Sequence, residues 1–98
     1  MDNQPEIEDV VLHASRAFGV PKRVTESASR QKRVVRARGA AMHYCTEPLG
    51  MTLPEVAEYF GVDHTTVLYH RDQHEERVRD EEEYASGYDQ MRSSLLGR

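Results

Sequence analysis

The sequence predicts an all-α fold. Apolar residues recur at i, i+3, i+4 and i+7 in successive stretches, which is the period of a helix with one buried face. No stretch alternates apolar and polar residues as a half-buried strand does. Glycine, proline and a capping box fall where those stretches end and begin.

The first helix is expected over about 5–18. Pro5 suits a first turn, and Glu6, Glu8 and Asp9 favour the positive end of the helix dipole. Ile7, Val10, Val11, Ala14 and Phe18 form its apolar stripe, and Gly19 followed by Pro21 stops it. Residues 21–26 read as a short helical turn leading into a basic loop. The next helix is expected over about 31–45. Its inward face is Val34, Ala37, Ala41, Tyr44 and Cys45, with Arg33, Arg36 and the backbone near Gly39 on the surface. Glu47-Pro48-Leu49-Gly50 breaks it.

Thr52-Leu53-Pro54-Glu55 is a capping box, because Thr52 can accept from the Glu55 amide while Glu55 reaches back. It opens a short helix whose stripe is Leu53, Val56, Ala57 and Phe60, ended by Gly61. Asp63 then caps a helix from His64 to about Arg79, with Val67 and Leu68 inward. The run Asp80 to Glu83 starts a last helix on the stripe Tyr84, Tyr88, Met91 and Leu95, although Gly87 weakens it.

A chain of 98 residues holds one small domain, with flexible ends expected at 1–5 and 97–98. Starting at Met1, it reads as a stand-alone module. The one cysteine, Cys45, cannot close an internal disulfide, which fits a reducing cytosol. No run approaches the ~18 apolar residues of a membrane helix, and the amino terminus is acidic, unlike a signal peptide. A cytoplasmic location is expected. The net charge of −4 argues at first against a polyanionic partner, but its distribution reverses that. Residues 16–46 carry Arg16, Lys22, Arg23, Arg30, Lys32, Arg33, Arg36 and Arg38 against Glu26 alone, a block of +7 in an otherwise acidic chain. Such a block is the electrostatic footprint expected at a phosphate backbone.

Residues 52–77 have the outline of a helix-turn-helix, a short capped helix, a glycine turn and a second helix opening on small polar residues. In that motif the start of the second helix meets base edges in the major groove. Asp63, His64, Thr65 and Thr66 stand there. A carboxylate can accept from cytosine N4, threonine can bond a base or meet a thymine methyl, and imidazole can donate to N7 or O6.

Val62-Asp63-His64-Thr65-Thr66-Val67-Leu68 resembles the Asp-His-Thr-Thr-Val signature of the carboxy-terminal DNA-binding domain of DnaA, the bacterial replication initiator. Leu53 to Gly61 looks like that family's first motif helix and turn, Val34 to Met42 like the helix after its basic loop, and Ala14 to Val20 like its first helix. Tyr84, Tyr88, Met91 and Leu95 keep the spacing of its last helix. The resemblance covers about residues 6–96. It implies a Trp-repressor-like helix-turn-helix that binds duplex DNA at sites like the DnaA box. Asp63, His64 and Thr65 would read bases, Thr66 would be shared between base and phosphate, Arg30 would enter the minor groove, and Arg38 would lie at the DNA surface. Lys32, Arg33 and Arg36 are phosphate candidates, and Thr52 and His70 complete the set. Gly39 stands where members often have glutamine, and Val62 where many have glycine or a basic residue, so base preference can differ. Nothing here resembles the DnaA ATPase domain or a phosphate-cradling glycine-lysine loop. An ATP-independent regulator of transcription or replication is expected, placed at the nucleoid.

No acid/base dyad stands out, so no enzyme and no cofactor is predicted. His64, His70, His74 and Cys45 lack the spacing of a zinc set, and Cys45 on an inward stripe reads as an inert thiol. The acidic segment 72–83 is read as a solvated face. Its alternative role, docking a replication or transcription protein, would make the chain an interaction module. Monomer and dimer both remain open.

Overall fold

The computed structural model describes residues 4–98. Among them it has six helices and no strand: α1 (Ile7–Phe18), α2 (Lys22–Thr25), α3 (Lys32–Thr46), α4 (Leu53–Phe60), α5 (His64–Asp80) and α6 (Glu82–Leu96). Met1 to Asn3, with the Asp2 charge and most of the expected flexible start, lie outside the described residues.

The helices begin and end where local chemistry dictates. Pro5 falls two places short of the first helical position, because Glu6 is the N-cap of α1 and Ile7 its first residue. The Asp9 carboxylate accepts from the Glu6 amide at 3.2 Å and so occupies one of the amides a helix start leaves without a partner. Gly19 ends α1 in the left-handed region, at φ 72°. There the Val20 amide reaches back to the Ser15 carbonyl at 3.0 Å, a conformation that costs glycine little.

Helix α3 is the hub, and every other helix packs against it. Val34, Ala37, Ala41, Tyr44 and Cys45 are all buried, as their spacing predicts. Gly39 is not at the surface. It too is buried, because α5 crosses α3 there and uses the space a side chain would fill. Val10, Val11 and Ala14 of α1, Val56, Ala57 and Phe60 of α4, and Tyr84, Tyr88, Met91 and Leu95 of α6 complete the core. Burial drives the Cys45 thiol up to about 12, so it is inert at neutral pH.

Gly87 marks a close approach. A methyl group there would lie 2.6–2.9 Å from the Phe18 ring, so the missing side chain lets α1 and α6 meet. Helix propensity alone favours alanine at this position by ~1 kcal/mol, while overpacking costs ~1–3 kcal/mol. Gly87→Ala is expected to destabilise the protein by about 1 kcal/mol net, read as a lower denaturant midpoint at unchanged slope.

Candidate functional site

The pair α4–α5 is built as the capping pattern requires. The Glu55 amide donates to Thr52 Oγ1 at 3.2 Å, and the Thr52 amide donates to Glu55 Oε1 at 2.9 Å. Gly61 closes the turn at φ 68°. Asp63 caps α5: its Oδ1 accepts from the Thr65 amide at 2.9 Å and from Thr65 Oγ1 at 2.8 Å. Those two bonds hold its carboxyl below the usual carboxylate range, so it stays ionised at neutral pH. Asp63, His64 and Thr65 are exposed and Thr66 is half-buried at the free end of α5. Small polar groups at a helix start, one of them an anion, can accept from amino groups or donate hydroxyls to a nearby acceptor.

The inner side of α5 departs from expectation. Leu68 is only half-buried, and the buried stripe is Val67, His70, His74 and Arg77. His70, a contact candidate in the sequence, is 6% exposed and faces inward. Its Nδ1 lies 3.1 Å from Arg77 Nη1, and both groups press on the bare Cα of Gly39, where a methyl group would come within 2.6 Å of Arg77 and 2.9 Å of His70. Burial and the Arg77 charge bring the His70 imidazole down to about 4, so it is neutral. The Arg77 guanidinium also lies 5.9 Å from the ring centres of both Tyr69 and Tyr84, within cation–π range.

The basic residues divide into two groups. Arg30, Lys32 and Arg33 are exposed at the loop and the start of α3. Arg36 is half-buried and held: its Nε and Nη2 donate to the Glu81 carboxylate at 2.7 and 2.8 Å, a bidentate pair joining α3 to the α5–α6 junction. Arg38 is not at the surface either. It is 9% exposed, and its guanidinium donates to the carbonyls of Thr25 at 3.1 Å, Ser27 at 2.6 Å and Ser29 at 3.1 Å. The loop backbone, left without helical partners, draws the guanidinium inward, and the carbon stem packs on the way. Thr52 is exposed and committed to its capping box.

Two features were missed in the sequence. Tyr69 is 55% exposed on α5, three and four residues beyond Thr66 and Thr65, so the same helical spacing would have found it. The Tyr59 hydroxyl donates to the Glu26 carboxylate, which Lys22 Nζ also reaches at 2.8 Å. That cluster ties α4 to the end of α2, and hence to the basic loop. Among the described residues, no three His, Cys, Asp or Glu side chains cluster to hold a metal. No helix among them is long and apolar enough to cross a membrane.

The chain is similar to bacterial DnaA proteins. A family model described as the bacterial DnaA protein helix-turn-helix matches residues 7–73. The chromosomal replication initiator protein DnaA of Picosynechococcus sp. is 39% identical over 67 residues, covering 66% of this chain and 15% of that protein. The DnaA of Thermomicrobium roseum is 34% identical over 89 residues, covering 89% and 19%. The DnaA of Deinococcus deserti is 26% identical over 92 residues, covering 94% and 20%. The chain thus spans a fifth or less of the length of these relatives.

Proposed function

Since the chain belongs to the bacterial DnaA helix-turn-helix family, we propose that it binds duplex DNA sequence-specifically, without ATP, as a regulator of replication or transcription at DnaA-box-like or related sites. The observation that carries this reading is the presence of two differently built, exposed contact sets. The start of α5 presents the ionised Asp63 with His64, Thr65 and Thr66, short groups suited to base edges. Arg30, Lys32 and Arg33 stand exposed on the loop and helix start that Arg38 and the Tyr59–Glu26 contact fasten to the rest of the fold. In this reading Arg30 enters the minor groove and Lys32 and Arg33 meet phosphates. Arg36 supports them while paired with Glu81. His70, neutral and buried, acts behind the surface. Tyr69 joins the outer face, where its hydroxyl can meet a phosphate.

Selection of bound duplexes from a random pool, at a stated salt concentration, tests the reading. Enrichment of one short motif is expected, whether DnaA-box-like or shifted by Val62 and Gly39. Thr65→Ala should then weaken that motif by ~1–3 kcal/mol and scrambled duplex hardly at all. A pool that enriches nothing, or binding indifferent to salt, defeats the proposal, because phosphate contacts release counterions.

A further inference from the structure

The loop between α2 and α3 has an internal scaffold that its sequence, rich in serine and basic residues, does not advertise. The Ser27 hydroxyl donates to the Val24 carbonyl at 2.6 Å and accepts from the Ser29 amide at 3.2 Å. The Ser29 hydroxyl accepts from the Gln31 amide at 3.3 Å. The alternate carbonyls of Thr25, Ser27 and Ser29 all turn to one guanidinium, that of Arg38 on α3. Side-chain oxygens thus serve the loop's amides, and a single cation serves its carbonyls. Among the described residues no carboxylate hydrogen-bonds to Arg38, and burial disfavours its charge, so the carbonyl dipoles stabilise it there. Arg30 follows Ser29 directly and is exposed. With the Ser29 carbonyl held inward, the next residue is carried outward at a fixed place.

We infer that Arg38 is a positioning residue, which sets the shape of loop 25–31 and through it delivers Arg30 to DNA, rather than a residue that itself meets phosphate. The inference rests on the reading of the chain as a duplex-DNA binder and assigns Arg38 a different task from the one the family resemblance implies. Nε and Nη2 are committed to three carbonyls, so a phosphate contact through them would orphan those carbonyls at the rim of the core, where each unmet polar group costs ~1–3 kcal/mol, and only Nη1 is left over. Lysine keeps the charge and loses the planar fork that spans three acceptors, so Arg38→Lys separates charge from geometry.

Three measurements on the full chain test this. Amide hydrogen exchange at 27–31 in the free protein should quicken about tenfold or more in Arg38→Lys, with α4 and α5 unchanged. Specific affinity for the selected duplex should fall about tenfold, on the scale of one lost arginine–base contact, while the slope of log affinity against log salt stays put. In an Arg30→Ala background, Arg38→Lys should add almost nothing, since residues acting through one contact are not additive. Ser29→Ala, which removes one hydroxyl at a half-buried loop position, should reproduce part of the same pattern and covers the case in which Arg38→Lys does not fold. Unchanged loop exchange, wild-type affinity in Arg38→Lys, or full additivity with Arg30→Ala would each overturn the inference while leaving the DNA-binding reading intact. A wild-type chain that prefers no duplex would overturn both.

Discussion

Lowering the pH from 7 to 5 is expected to remove about 3 kcal/mol of stability, a large share of the ~5–15 kcal/mol typical of a whole domain. The cause is a set of histidines folded in the neutral form. His43 and His74 stack with ring centres 3.5 Å apart, and each Nδ1 pairs with a tyrosine hydroxyl, Tyr88 at 2.9 Å and Tyr84 at 2.8 Å. Burial, the neighbouring His74 and the Arg71 charge bring His43 down to about 4, and His70 lies at about 4 beside Arg77. His74 is lowered too, chiefly by burial. In the unfolded chain an imidazole titrates near 6.5. Above that pH, neither state binds these protons and the depression costs nothing. Below it the unfolded state gains protons that the folded state refuses, so stability falls as the pH drops from about 6.5 toward 4. His43 and His70 each contribute about 1–2 kcal/mol by pH 5, the half-buried His43 less. The carboxylates of Glu26, Glu55, Asp63 and Glu81, all lowered by their partners, add a separate loss only below about 4.5. Thermal midpoints across pH 5–7 check this, with a drop of about 10–20 °C expected and a shallower one in His43→Gln. A flat profile between pH 7 and 5 would mean that these imidazoles take up protons in the fold as readily as in the unfolded chain.

The second large effect is expected at Asp63, where one carboxylate serves two purposes. Its Oδ1 caps α5 through Thr65, and in the proposed function the same group accepts from a base. Asp63→Ala should lose ~1 kcal/mol of stability from the missing cap and a further ~1–3 kcal/mol of specific affinity from the missing base contact. Asp63→Asn separates the two. Asparagine caps a helix as well as aspartate does, so stability should return, while its amide cannot act as an acceptor-only anion, so the base preference should stay altered. If Asp63→Asn restores affinity and preference together with stability, the carboxylate works through helix geometry alone.

Much of this was legible in the sequence. All six helices follow from apolar spacing and punctuation, with ends within about two residues, because caps such as Thr52 and stops such as Gly61 are local chemistry. The exposed start of α5 was legible for the same reason. Arg38 and His70 were not. The family resemblance put Arg38 at the DNA surface and His70 stood among the contact candidates, but the periodicity of Val67, His70, His74 and Arg77 is that of a buried stripe written in hydrogen-bonding residues. A hydrophobicity reading sees only Val67 in it. Arg38 turned inward because unpaired carbonyls of a loop nine to thirteen residues away needed a donor, a tertiary fact that no local pattern carries. Gly39, read as surface backbone of α3, is where the buried Arg77 and His70 of α5 find room.

That stripe also has a bearing on how such a protein can change over time. Helix α5 is gripped along one side by Val67, His70, His74 and Arg77 against α3 and α6, and the grip does not use His64 or Thr65, whereas Tyr69 touches it through Arg77. Substitutions at His64 and Thr65 should therefore pass with folding losses within ~0.5 kcal/mol, as for ordinary surface sites, whatever they do to target choice. Asp63 is the exception, since it is tied to the helix start. A lineage carrying this scaffold could drift to new target sequences by exchanging two side chains, without first acquiring stabilising changes elsewhere.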